Sequence, residues 1–455
     1  LFIHFVYQST FILNAMKDTF SRITNSTSFK FVVIGILSLL LLIPVGKVRS
    51  LIMERQERSI LAALEVSEKW GLDQTITGPF ITIPLKETRT LNGKEEYIWN
   101  HLHVLPEELN IYGKVVPEEK KRGIYKTVVY ESGMRISGKI VLSATLLDQI
   151  SDQEIINNTF FLCLGITDLR GIKEISIQVN GNLVEEMPGL PTTELISKGI
   201  HIPLSPQLLS TSPISFHIDL RLDGSSELSF VPVGKTTDVE IESNWADPSF
   251  GGAFLPIPSK TNIGSEGFQA IWEVNYLNRS YPQHWFNNAA SLSDSGFGVQ
   301  FLIPVDHYQK SMRSVKYALM FIALSFLIFF LTELISGIRL HPIQYLLVGI
   351  ALVVFYTLLI SLAEHLGFDP AYLISSLATV ILIALYVKSS TGQSKQGLLT
   401  GSLLLVLYAF LYTTLQLQDF SLLFGSVGIF TVIAIIMFVS RKVNWYRESE
   451  SPEEG

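Results

Sequence analysis

Five stretches in the last third of the chain, at 317–335, 343–363, 371–387, 397–415 and 420–439, run 17 to 21 residues each, and their only charged side chain is Glu333. About 30 Å of hydrocarbon demands that length of α-helix. Lipid offers the backbone no hydrogen-bond partners, so such stretches must close their own bonds as helices. A sixth candidate lies near the start, where 31–45 reads FVVIGILSLLLLIPV without a charge. It extends to 48 if Lys47 turns its ammonium to the interface. A signal peptide competes with an anchor here, because the apolar core is short and Lys30 precedes it. No small-x-small cleavage site follows, and KVRSLIMERQERSILAALEV is charged and helix-forming, so an uncleaved anchor is expected. The chain opens on Leu1, and Met16 is the alternative start.

Lysine and arginine in the short loops set an expected orientation. Arg339 lies after the first of the five C-terminal spans, Lys388 and Lys395 after the third, and Arg441, Lys442 and Arg447 after the last. The loops EHLGFDP and QLQD carry neither residue type. Both termini are therefore expected in the cytoplasm. The expected organisation is a cytoplasmic segment (1–30), a transmembrane helix (31–48), an extracytoplasmic domain (49–316), a five-helix transmembrane bundle (317–439) and an acidic cytoplasmic tail (440–455).

Composition narrows the classes further. Charged residues are 16% of the 455 and apolar residues 48%, with a formal charge of −7. No block of Lys and Arg is dense enough to form a phosphate-binding face, which excludes nucleic acid as a partner. The single cysteine, Cys163 in FFLCLGI, rules out an intrachain disulfide and a Cys-rich zinc site, and suits a small buried apolar side chain.

Between the first and second spans the pattern changes from helix to strand. In ISFHIDLRL the residues Ile214, Phe216, Ile218, Leu220 and Leu222 alternate with polar neighbours, which puts them on one face of a strand. Asp223-Gly224 then predicts a hairpin into LSFVPV, and Asn92-Gly93 and Asn180-Gly181 predict two more, since Asn and Gly tolerate the positive φ of two-residue turns. Helical periods show near 51–70 and 146–157. An antiparallel β-rich domain follows, either a β-sandwich or an elongated sheet. Its tryptophans Trp245, Trp272 and Trp285 are expected in the sheet core or at the membrane-facing base, with a ligand platform as the alternative.

Several contiguous pieces then resemble the CreD family, bacterial inner-membrane proteins associated with cell-envelope integrity. They are LDGS (222–225), PVGKTT (232–237), WADPSF (245–250), NRSYP (278–282), FGV (297–299), PVDHYQKSMRSVKYA (304–318), HPIQYLLVG (341–349) and SLAEHLGFDPAYL (361–373). Upstream, ITDLRGI (166–172) extends the likeness over nearly the whole chain. The resemblance implies a location and a process, without a reaction.

Ionisable residues at membrane level are the candidate functional groups, because burying a charge in hydrocarbon is expensive. Glu333 is expected to pair with Arg339 or His341 across a short turn. Glu364 and His365 at the outer end of the third span suit an interfacial cap; a proton acceptor or metal-ligand pair competes, but no HExxH spacing supplies further ligands. Asp369-Pro370 is expected to cap the next span. Ser249, His284, Asp306 and His307 are the residues of a hydrolytic alternative, without a nucleophile motif. GLLTG (397–401) predicts close helix packing. A non-enzymatic protein supporting the envelope through its outer domain is the expected function, with no cofactor or metal, and with the bilayer and envelope proteins as partners. The alternative is a membrane-embedded enzyme or a lipid or ion transporter using the Glu364-His365 region.

Overall fold

A computed structural model describes residues 27–91, 94–292, 294–301, 307–336, 340–417 and 421–440. The chain divides into two compact units, one taking the residues up to Arg58 and those from Val305 onward, the other Ser59–Pro304.

The first unit is helical. It comprises α1 (Thr27–Leu40) and the start of α2 (Leu42–Trp70), which continues into the second unit. The C-terminal helices come after the strands and are labelled α4 (His307–Lys316), α5 (Ala318–Ser336), α6 (Pro342–Leu366), α7 (Phe368–Thr391), α8 (Ser394–Gln416) and α9 (Ser421–Ser440); α3 (Ala144–Gln149) is a single short helix in the second unit. Four helical stretches among the described residues are long and apolar enough to cross a membrane: Val32–Trp70, Pro342–Leu366, Phe368–Thr391 and Ser394–Gln416. A fifth arises if α4 and the following helix, bent by 53° at Tyr317, count as one span. The sixth expected span coincides with α9, a helix of 20 residues that is not among those five.

Helix ends follow local chemistry. Gly367, at φ 81°, caps both α6 and α7, so the expected cap Asp369 sits one residue inside α7 instead. The carboxylate of Asp369 accepts from Tyr412 Oη at 3.1 Å and Gln416 Nε2 at 2.6 Å, tying α7 to α8. A Cβ on Gly397 would lie 2.7 Å from the Ala384 carbonyl, so only glycine lets these two backbones meet, as the small-residue spacing predicts.

The second unit is a two-sheet sandwich. Its strands are β1 (Gln74–Leu91), β2 (Lys94–Val104), β3 (Glu108–Arg122), β4 (Tyr125–Ile140), β5 (Glu154–Ile155), β6 (Phe160–Ile166), β7 (Ile172–Val179), β8 (Asn182–Val184), β9 (Met187–Pro188), β10 (Gly199–Leu204), β11 (Ile214–Ser225), β12 (Glu227–Val231), β13 (Thr236–Ser243), β14 (Pro248–Gly252), β15 (Asn262–Gly264), β16 (Gly267–Asn275), β17 (His284–Phe286) and β18 (Phe297–Phe301). One sheet runs β14-β18-β12-β1-β6-β10-β9, with β2 and β5 also on β1 and β17 on β2; the other runs β15-β16-β13-β3-β4-β11-β7-β8. A single apolar core lies between them, where Trp272 of β16 meets Phe250 of β14 and Phe297 of β18 at ring-centroid distances of 5.6 and 5.7 Å. Trp272 and Trp285 are buried, Trp245 packs against the same core, and Cys163 is buried within it. Burial pushes the Cys163 thiol up to about 12, against a smaller opposing effect of the Thr82 hydroxyl.

The alternation read in β11 holds, with Ile214, Phe216, Ile218, Leu220 and Leu222 buried. Two expectations need correction. Asp223 and Gly224 make no hairpin: they stay in β11, opposite Glu131 and Tyr130, and the turn falls at Ser226 (φ 51°), where the chain leaves one sheet for the other. The sheets are also mixed where antiparallel pairing was expected, because β1 pairs with β12, and β3 with β13, in parallel. Hairpin signals report neighbours joined by a short turn, whereas parallel neighbours need a long crossover that leaves no local mark. Asn180-Gly181 does turn β7 into β8, with both residues at positive φ. Asn92-Gly93 lies outside the described residues, between paired Leu91 and Lys94.

Replacing Trp272 by Ala should cost about 3–5 kcal/mol, the range for emptying an aromatic core position. Leu277→Ala, at a side chain 91% exposed, should change stability by less than about 0.5 kcal/mol. Denaturant unfolding of the full chain in detergent, followed by near-ultraviolet circular dichroism, distinguishes the two.

Candidate functional site

Glu333, near the C-terminal end of α5, has a side chain only 8% exposed. Its carboxylate accepts from the Lys30 ammonium of α1, from Tyr345 Oη of α6 at 2.8 Å and from the Leu340 backbone N–H at 3.2 Å. A buried carboxylate is tolerable when a cation and further donors replace its lost hydration. The sequence-expected partner Arg339 lies outside the described residues. His341 is turned to its own helix, where Nδ1 accepts from the Ile343 N–H at 3.3 Å while the Gln344 side chain accepts from the His341 N–H at 2.9 Å. That reciprocal pair is a capping box for α6, a structural task.

Glu364 sits at the far end of α6, and its side chain is also 8% exposed. It accepts from Tyr308 Oη of α4 at 3.1 Å and faces the Arg55 guanidinium of α2 at 3.8 Å. His365, its neighbour in sequence, is exposed. No group of three His, Cys, Asp or Glu side chains placed to hold a metal ion occurs among the described residues. Each glutamate therefore joins an N-terminal helix to the C-terminal ones, through Lys30 in one case and Arg55 in the other.

Of the residues of the hydrolytic alternative, the two in the sandwich, Ser249 and His284, lie on different strands and are not hydrogen-bonded to each other. Ser249 is on β14, opposite Gln300, and His284 is on β17, opposite Val104. His307 opens α4 in the helical unit, and Asp306 lies outside the described residues. A hydroxyl–imidazole–carboxylate chain does exist elsewhere. Thr82 Oγ1 is 3.1 Å from His103 Nδ1, and His103 Nε2 is 3.0 Å from Glu194, whose other oxygen is 3.0 Å from His101 Nδ1. Thr82 and His103 are fully buried, so no substrate reaches the hydroxyl. The chain works as a clamp: it pins the irregular segment holding Glu194 onto β1 and β2. Burial lowers the affinity of His103 for a second proton, and the neighbouring His101 adds to this; the hydrogen bond to Glu194 and its charge oppose it without prevailing.

Glu194 leads directly into Leu195, Ile196 and Lys198, one wall of a groove of about 860 Å³. Its floor comes from Thr75, Thr77, Ile166 and Ser229 on three adjacent strands.

The sequence profile described as Inner membrane protein CreD matches residues 26–446. The chain belongs to the CreD family. The Inner membrane protein CreD of Escherichia coli (strain K12) is 33% identical to it over 419 residues, which is 90% of this chain and 91% of that relative. This CreD-family chain is accordingly a multi-pass inner-membrane protein with a large β-rich unit. Sequence reading found both membrane-level glutamates and missed Lys30 and Arg55 as their partners. It also missed the clamp, although His101-x-His103 carries a signal, since residues two apart on a strand share a face.

Two outcomes follow for this CreD-family protein. Removing the Glu364 carboxylate with Glu364→Ala should cost about 1–3 kcal/mol, because its hydrogen bond from the Tyr308 hydroxyl is lost. Arg55→Met should cost under about 1 kcal/mol, since that cation is 39% exposed and screened. Thermal unfolding in detergent measures both. The clamp predicts a pH dependence: the unfolded chain binds a proton on His103 more readily than the folded one, so stability rises with pH. That contribution is fully present above the ordinary value of 6.5 and is lost as pH falls below it. The drop in melting temperature between about pH 7.5 and 5.5 should shrink in His103→Phe.

Proposed function

We propose that this chain supports cell-envelope integrity as a non-enzymatic inner-membrane protein, with six spans, both termini in the cytoplasm and the β-sandwich outside. The observation that carries the proposal is the engagement of both membrane-level carboxylates. Glu333 and Glu364 are each held by a cation and a tyrosine hydroxyl from other helices. Groups needed for proton transfer or metal chemistry would have to be released from these contacts first. The sandwich is then the part available for partners, and envelope proteins and the bilayer are the partners proposed. The loop charges support the orientation, and the family resemblance supports the process.

The competing reading, an enzyme or a lipid or ion transporter working through the Glu364-His365 region, rests on the exposed His365 imidazole. Complementation of a deletion strain under detergent stress separates the two. His365→Ala and Glu364→Gln, checked for normal membrane levels, should each retain most of the function. A complete null at normal levels would favour the alternative, since loss of a general base or metal ligand costs orders of magnitude in rate. Orientation is tested with an impermeant thiol reagent on cells with a permeabilised outer barrier, in a Cys163→Ala background. A cysteine at exposed Ser265 should be labelled and one at exposed Ser390 should not; the reverse pattern would invert the topology.

A further inference from the structure

We infer that the outer face of the β1-β2 ribbon is a platform for a polysaccharide chain. Tyr97, Trp99, His101 and His103 alternate along β2, which places all four on one face of the strand. Burial grades along the row, from Tyr97 at 50% and Trp99 at 60% exposed to His103 at 0%. Trp272 and Trp285 are buried and Trp70 and Trp245 half-buried, so among the described residues Trp99 is the tryptophan left open to solvent.

The surroundings of the two rings select the occupant. Lys86, opposite Trp99 in register, does not cover it: its ammonium lies 4.4 Å from the centroid of the Tyr97 ring and 3.3 Å from Glu154. Tyr97 Oη donates to Glu95 at 3.1 Å. Beyond Trp99 along the strand, His101 and the neighbouring Glu194 keep about a quarter of their side-chain surface exposed. An aromatic face bordered by carboxylates, an ammonium and an imidazole matches a pyranose, which presents C–H bonds to the ring and hydroxyls to the rim. The same charged rim disfavours an acyl chain. Two rings on one strand form no cage of the kind that encloses a quaternary amine. Glu194 is shared with the buried clamp, so the platform inherits a fixed hydrogen-bonding end.

The proposal rests on the sandwich facing the envelope, but its test does not, because binding is measured on the purified protein irrespective of orientation. The full chain in detergent micelles is titrated with tetra-N-acetylchitotetraose and with cellotetraose, by calorimetry and tryptophan fluorescence. At least one tetrasaccharide should bind saturably. Trp99→Ala should weaken it about tenfold or more at an unchanged melting temperature, and Trp99→Phe should keep most of the affinity. Failure of both sugars to bind saturably, or Trp99→Ala binding as tightly as the parent, would overturn the platform. So would quenching of Trp99 fluorescence by brominated acyl chains in nanodiscs, measured against Trp99→Phe, since that outcome assigns the row to the bilayer.

Discussion

The ion pair between Lys30 and Glu333 joins residues 303 apart in sequence and fastens the first helix to the C-terminal ones. The chain leaves that unit at Arg58 and returns at Val305, so α1 and α2 must find the C-terminal helices without a short connection to guide them. In lipid, apolar side chains give little preference for one helix neighbour over another. A buried charge does, because leaving it unpaired costs several kcal/mol. Lys30 with Glu333 thus acts as the main fastening of the N-terminal helices to the C-terminal ones, and the more exposed Arg55 with Glu364 adds a weaker one. Tyr345 of α6 and Tyr308 of α4 each donate a hydrogen bond to one of these carboxylates.

The sandwich solves a different problem. Its strands must bury one face and keep the other soluble, and β11 does this by strict alternation until Leu222. At Ser226 the chain changes sheets, and from there β12 threads between β1 and β18 in the other layer. The core between the layers is rich in aromatic contacts, among them those of Trp272 with Phe250 and Phe297. The outer face of the β1-containing sheet is shaped by the segment around Glu194. That segment is fixed by His101 and His103 on one side and walls a groove on the other. A site on this face would therefore be held by rigid strands, with its border set by one carboxylate.

Legibility in the sequence followed the range of the forces involved. Helices at membrane level and the alternation of 214–222 are local patterns of hydrophobicity, and each was legible. So was the Asn180-Gly181 turn, where two adjacent residues carry the whole constraint. Asp223-Gly224 misled because its turn chemistry was overridden by pairing with β4. The parallel ladders of β1 with β12 and β3 with β13 were invisible for want of a local signal. Glu333 stood out as an intramembrane charge, but nothing near it in sequence pointed to Lys30. Glu194 had no signal at all, since an isolated glutamate in an irregular segment resembles any solvated one.

A double-mutant cycle on Lys30 and Glu333 tests the fastening most directly. Lys30→Met, Glu333→Gln and the double variant are compared with the parent by thermal and denaturant unfolding in detergent. A real pair predicts that each single change costs about 3–5 kcal/mol by taking the ionic partner from the charge that remains. The double variant should then cost at least about 2 kcal/mol less than the sum of the two single changes. Additivity to within about 0.5 kcal/mol would mean that the two side chains do not couple, and that something else holds the first helix to the rest.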